Sequence, residues 1–200
     1  GSFTEIFKPQ EARDRNGRQL DPVDGRSYEV GLKSTYLSGA LHTTVALFRI
    51  QQDNIAERDI GSTIPGTIFE ASRAAKGTKS EGAELEVVGR IRPGWEATFS
   101  YTNFSAKDAQ DVDVNTDQPR KLIKLFTTYE FTDVLPALTV GDGVNWEGGK
   151  YILTENPVLL TPERLEQGAF ALVNLMGRYR FSDRLSAQLN VDNLLNKEYY

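Results

Sequence analysis

The strictest constraint in this chain is a two-residue rhythm. Leu185, Ala187, Leu189 and Val191 alternate with Ser186, Gln188 and Asn190 without a break. Successive side chains of a β-strand point to opposite faces, so this run has one apolar and one polar face. Just before it, Ala171, Val173, Leu175, Gly177, Tyr179 and Phe181 alternate with partners that include Asn174, Arg178 and Arg180. Ser182-Asp183-Arg184 reads as the tight turn between the two runs. Further upstream, Ala83, Leu85 and Val87 alternate with Glu84 and Glu86. After Arg92-Pro93-Gly94, Trp95, Ala97, Phe99 and Tyr101 alternate with Glu96, Thr98 and Ser100. The rhythm continues less cleanly over 123–131, where Leu122 and Phe126 intrude on the polar side, and again over 138–146. From Ala40 to Asp53 it is ambiguous: Leu41, Val45 and Leu47 compete with Ala46, Phe48 and Ile50.

These runs predict an all-β, antiparallel up-and-down chain of about nine strands. Short connections fall near 37–40, 92–94, 133–136 and 182–184. Long polar ones span about 10–25, 54–77, 107–118 and 152–167. Short turns alternating with long loops are the layout of an outer-membrane barrel, with periplasmic turns and extracellular loops. Hydrophobic residues make up 39% of the chain, and no stretch approaches the roughly 20 apolar residues of a membrane helix. Only a closed barrel then satisfies every backbone group inside a bilayer. Tyr101, Tyr129, Phe131, Trp146, Tyr179 and Phe181 fall towards strand ends, where interfacial girdles sit. A soluble sandwich would need apolar residues packed from both of its sheets, whereas the second face here is rich in Glu, Arg, Asn, Gln and Thr. An odd strand count favours a piece of a larger barrel, because single-chain bacterial barrels have even numbers. The chain opens on Gly1-Ser2 with no signal peptide, the expectation for a fragment or a mature form.

Several chemistries are absent. There is no cysteine and His42 is the only histidine, so neither a thiolate site nor a histidine cluster exists. A net charge of −5 argues against nucleic-acid binding. No nucleophile is paired with a base. Glu84 and Glu86, two apart on one strand face, only imitate a carboxylate pair. Asp111 to Asp117 begins like a calcium loop, but Thr116 stands where glycine is needed and Leu122 where a bidentate glutamate is needed. It reads as a solvated acidic loop.

Longer segments resemble a known family. Phe3-Thr4-Glu5-Ile6-Phe7-Lys8-Pro9-Gln10 is similar to a strand that opens the second half of TonB-dependent siderophore receptors. Leu20 to Lys33 (LDPVDGRSYEVGLK), Ala46 to Asn54 (ALFRIQQDN) and Ser80 to Glu86 (SEGAELE) resemble that family's following strands. Leu194-Leu195-Asn196-Lys197-Glu198-Tyr199-Tyr200 resembles its C-terminal signature. The resemblance covers nearly the whole chain and leans towards the ferric-pyoverdine and ferric-coprogen type. It implies that residues 1–200 are a C-terminal part of a barrel of about 22 strands. The plug domain, the TonB box and the first half of the barrel are expected elsewhere. The implied partners are a ferric siderophore as transported ligand, the TonB-ExbB-ExbD complex and outer-membrane lipid. No covalent cofactor and no resident metal are expected. A self-contained small barrel, acting as a passive pore or adhesin, is the alternative, and a soluble β-rich binding module is the third reading.

Within that resemblance, ligand contacts are expected on the long loops and upper strand positions. The candidates are Trp146 and Tyr151, with Arg49, Gln51 and Asn145. Trp146 and Tyr151 also suit a lipid-facing girdle, and Arg49 suits a wall charge paired with a carboxylate. Glu84, Glu86, Glu96, Arg178 and Arg180 fall on the expected lumen side and suit ion pairs with a plug.

Overall fold

A computed structural model describes residues 1–75, 77–132, 135–155 and 162–199. The chain forms β1 (Ser2–Lys8), β2 (Val23–Tyr36), β3 (Leu41–Asp53), β4 (Ile55–Thr63), β5 (Glu70–Ala75), β6 (Thr78–Arg92) and β7 (Trp95–Lys107). It continues with β8 (Lys121–Glu130), β9 (Leu138–Glu147), β10 (Lys150–Glu155), β11 (Pro162–Gln167), β12 (Phe170–Ser182) and β13 (Leu185–Val191). Nine of these make one antiparallel sheet in the order β1-β2-β3-β6-β7-β8-β9-β12-β13. The nine expected strands are therefore present. The sheet stays open, because β1 and β13 each pair with one neighbour.

The connections within this sheet alternate in length as the sequence predicts. Leu37–Gly39 form a 3₁₀ turn with Ala40 N–H donating to Leu37 O. Pro93-Gly94 closes β6 onto β7, and Gly94 takes φ +78° there. A Cβ on Gly94 would lie 2.5 Å from the Glu130 carbonyl oxygen, so only glycine fits. In the turn expected at 133–136, Asp133 and Val134 lie outside the described residues. So do Lys76, residues 156–161 within the long connection 152–167, and Tyr200.

Two expected loops hold strands of their own. Residues 54–77 contain the antiparallel hairpin β4–β5, and 152–167 contribute to the hairpin β10–β11. Neither was visible as alternation because neither hairpin sets a purely apolar face against a polar one. Cross-strand charge stabilises the first instead. Glu57 stands opposite Arg73 and pairs with it at 3.2 Å, and Arg58 pairs with Glu70.

The chain divides into two compact units. The first comprises Gly1–Val30, Leu47–Gly82 and Phe104–Asn115; the second comprises Gly31–Ala46, Ala83–Asn103 and Thr116–Tyr200. In the first, Phe3 stands opposite Tyr28, with ring centroids 5.1 Å apart, and Glu5 stands opposite Arg26. In the second, the first nine residues of β7 pair with β8, β8 with β9, β9 with β12 and β12 with β13.

No dry core accompanies these strands. Among the described residues no large side chain is fully buried, while Leu32, Leu185 and Leu189 are 66%, 61% and 69% exposed. A soluble sandwich would hide such residues between two sheets. An exposed apolar face on an open sheet is instead the outer wall of a membrane barrel. The soluble-module reading fails on this point.

Candidate functional site

Registers in the second unit fix which side chains share a face, because directly opposed residues point the same way. Phe126 stands opposite Thr98 and Gly143, and Gly143 opposite Asn174. Lys124 stands opposite Ser100 and Asn145. Gly141 stands opposite Thr128 and Met176, and Met176 opposite Asn190. These residues make the polar face. One residue along, Leu125 stands opposite Phe99 and Val144, and Val144 opposite Val173. That is the apolar face. Asp142, opposite Thr127 and Leu175, breaks its pattern, and nothing in the structure accounts for the carboxylate there.

Aromatic pairs mark the apolar face where the short connections join it. Tyr129 meets Phe131 edge-on at 4.9 Å, and Tyr179 meets Phe181 at 4.9 Å. Trp95 Nε1 donates to Thr127 Oγ1 at 2.7 Å while the Arg92 guanidinium covers its ring. Ring bodies in an apolar layer with polar tips satisfied is the arrangement of an interfacial girdle.

The polar face carries the expected lumen charges. Glu96 pairs with Arg90 at 3.6 Å. Glu84 and Glu86 alternate with half-buried Leu85 and Val87 and are themselves exposed. Arg178, opposite Thr139 and Gln188, and Arg180, opposite Ser186, form no ion pair among the described residues. Between them and the long connections lies a cavity of about 490 Å³, lined by Lys124, Asn145, Asn174, Gln188, Asn190 and Asp192 among others. His42 on this face is hydrogen-bonded through Nδ1 to Thr35 Oγ1 at 3.2 Å.

The five ligand candidates do not share one face. Asn145 lines the cavity on the polar face. Trp146, the next residue, stands opposite Ile123 and Ala171 and so belongs to the apolar face. Tyr151 sits in the hairpin β10–β11, where the Arg164 guanidinium lies over its ring at 3.7 Å. Arg49 and Gln51 lie in the first unit. The ambiguous strand β3 resolves here: Gln52 lies beside the Gly25 position, as Ala46 lies beside Gly31, so the even residues share the polar face of β2. Arg49 and Gln51 therefore share the face of Val45 and Leu47. Arg49 pairs with Glu81 at 3.4 Å, which is the wall-charge arrangement.

The first unit is rich in braced loop structure that sequence reading missed. Arg15 Nε and Nη2 each donate to one Asp59 oxygen at 3.0 Å, and Asp59 is 9% exposed. Ser72 N–H donates to Arg13 O, and Asn54 Nδ2 donates to Pro22 O. These bonds fasten the connection 9–22 to the hairpin β4–β5. Within the connection, Asp14 accepts the N–H groups of Arg18 and Asn16 at 2.9 Å. The Arg18 N–H bond is the main cause that lowers the Asp14 pKa below its ordinary value. Asp14-Arg15-Asn16-Gly17 is local turn chemistry, whereas its attachment to Asp59, 44 residues away, has no signal in the sequence.

The acidic segment 108–117 behaves as a turn. Asp108 accepts from Gln110 and Val112 N–H, and Asp111 pairs with Lys107 at 3.0 Å. Among the described residues no cluster of three or more His, Cys, Asp or Glu side chains is arranged to hold a metal ion. The C-terminal signature also acquires a physical meaning. Asn193 Oδ1 accepts the Lys197 N–H, Asn193 N–H donates to Asn174, and the Tyr199 ring stacks on Phe170 at 5.0 Å.

Comparison with known proteins fits this geometry. Residues 1–194 match the family model described as "TonB dependent receptor-like, beta-barrel". The ferripyoverdine receptor of Pseudomonas aeruginosa PAO1 is 37% identical over 203 residues, covering all of this chain and 25% of that receptor. The solved structure of the pyoverdine outer-membrane receptor FpvA from the same organism, bound to pyoverdine, superposes with a TM-score of 0.90. It is 36% identical, covering 99% of this chain and 29% of that one. The alcaligin outer-membrane receptor FauA of Bordetella pertussis is 47% identical with a TM-score of 0.71, covering 96% of this chain and 31% of that one. The chain thus spans about a quarter of the length of the curated relatives it matches. With its open sheet, apolar outer face and a match over nearly its full length, the chain belongs to the TonB-dependent receptor β-barrel family of the bacterial outer membrane.

Proposed function

We propose that this chain is the C-terminal barrel segment of a receptor that takes up a ferric siderophore of the pyoverdine type. The observation that carries the reading is the two-faced sheet: an apolar wall for lipid, and a polar wall whose Glu84, Glu86, Arg178 and Arg180 have no ion-pair partner among the described residues. These charges are exposed on this segment; a plug domain encoded elsewhere in the same protein covers them and then supplies their partners, because charges taken out of water need pairing. The TonB-ExbB-ExbD complex drives uptake through the N-terminal part. Among the ligand candidates, Asn145 and Tyr151 are retained for chelate contact, Asn145 on the polar face and Tyr151 on the β10–β11 hairpin. Trp146 serves the girdle, while Arg49 and Gln51 serve the outer face.

The test is radio-iron uptake by the full-length receptor in cells lacking their own receptor for the chelate. Uptake of ferric pyoverdine that disappears when TonB is deleted is the expected result. Uptake that persists without TonB contradicts it and favours the passive pore.

A further inference from the structure

The outward face of the first unit changes chemistry in steps along its strands. Gly25 of β2 lies beside Gln52 of β3, and Gly31 beside Ala46. That antiparallel register sets Asp24 opposite Asp53, Arg26 opposite Gln51, Tyr28 opposite Arg49 and Val30 opposite Leu47. These side chains share the outward face with Phe3, Glu5 and Phe7, which stand opposite Tyr28, Arg26 and Asp24. Val30 and Leu47 make an apolar layer, 60% and 54% exposed. Towards the long connection 9–22 comes a cationic layer, Arg49 and Arg26, and beyond it the carboxylates Asp24 and Asp53.

The two guanidiniums are loosely held. Arg26 Nε lies 3.7 Å from Glu5, and Arg49 Nε lies 3.4 Å from Glu81, whose other oxygen pairs with Lys79 at 2.9 Å. Both arginine separations are longer than a charge-assisted hydrogen bond. Three cations share two carboxylates at this level, so donors are left over. A cavity of about 460 Å³ opens there, lined by Glu5, Phe7, Asp24, Arg26, Gln51 and Asp53 among others.

Long basic side chains on a barrel wall lay their stems along apolar rows and keep their heads at the headgroup level. A guanidinium matches phosphate oxygens with two parallel hydrogen bonds. The carboxylates beyond would repel a headgroup that carried only negative charge. The order apolar, cationic, acidic therefore selects a lipid with a phosphate next to its acyl chains and a cationic group further out. A primary amine, unlike a quaternary one, has N–H donors for both carboxylates.

We propose that this strip seats the headgroup of an outer-leaflet lipid in which a phosphate is followed by a primary amine. Arg26 and Arg49 donate to the phosphate oxygens, and Asp24 and Asp53 accept from the ammonium. The inference rests on the barrel's place in the membrane and is independent of the solute that the receptor imports.

The experiment is native mass spectrometry of the full-length receptor released from detergent micelles. Phosphatidylethanolamine is the probe, and phosphatidylglycerol, with a phosphate but no amine, is the comparison. The parent is expected to hold phosphatidylethanolamine about tenfold more tightly than phosphatidylglycerol. Arg26→Gln with Arg49→Gln weakens phosphatidylethanolamine about tenfold, and Asp24→Asn with Asp53→Asn lowers it to the phosphatidylglycerol level. If the double arginine variant does not fold, Arg26→Gln alone is expected to lose about threefold. Parental affinity in the arginine variants overturns the proposal, as does equal affinity of the parent for the two lipids. Arg184→Gln, in the short turn between β12 and β13, removes the same charge elsewhere and is expected to change nothing. A loss there equal to that of Arg26→Gln also overturns the proposal, because retention then reports net charge and not this strip.

Discussion

The two compact units are stabilised by different means. The second is a ladder of paired strands with one largely apolar face, broken at Thr127 and Asp142, and one mainly polar face into which Leu122, Phe126 and Met176 intrude. The first draws much of its order from its connections: the Arg15–Asp59 fork, the Glu57–Arg73 and Arg58–Glu70 pairs, and the bonds from Gln10 and Asn54. Lipid decides the first kind of order, because an apolar face has somewhere to go. Charge pairing in water decides the second, and each exposed pair there is worth little alone. A membrane protein can therefore be rigid in two solvents for unrelated reasons.

The sharpest way to break this comparison is to put a charge on each face of the second unit. Leu125→Arg places a guanidinium beside Phe99 and Val144 on the apolar face, at an expected cost of about 2–4 kcal/mol near the bilayer midplane. Asn190→Arg, opposite Met176 on the polar face, is expected to cost less than about 0.5 kcal/mol. Both are read from refolding equilibria of the full receptor in lipid vesicles. Equal costs would remove the distinction between the faces.

A smaller effect sharpens the other side of the comparison. Asp59→Ala removes both hydrogen bonds to Arg15, whose side chain is 64% exposed and regains water. The loss is expected to be about 1 kcal/mol, discounted for that exposure. It is confined to the connection 9–22 and the hairpin β4–β5, as faster hydrogen exchange there with membrane insertion unchanged. Slower insertion would show that the loop brace and the lipid-facing wall are not independent.

How much was legible in the sequence follows from the same contrast. Residues 171–181 and 185–191 were readable because lipid forces a strict apolar face, and β12 and β13 lie where the rhythm placed them. Strand β3 stayed ambiguous because Phe48 and Ile50 stand on the polar side; only the placement of Ala46 and Gln52 beside glycines of β2 resolves it. Hairpin β4–β5 was invisible, since Glu57, Arg58, Arg73 and Glu70 carry its pairing and polar strands resemble loops. The site was legible in part. Alternation put Asn145 and the lumen charges on the polar face, but it could not show that Gln51 faces outward. Nor could it show that Arg164 covers Tyr151, a contact between strands whose pairing was not foreseen.

The central claim is that alternate residues of the sheet see lipid and a polar interior. A nitroxide scan along β8, residues 122–129, in the full receptor reconstituted in vesicles tests it most directly. The account predicts that labels at 123, 125, 127 and 129 collide with lipid-soluble oxygen, while labels at 124, 126 and 128 do not. Collision rates without a two-residue period, or with the opposite phase, would contradict it.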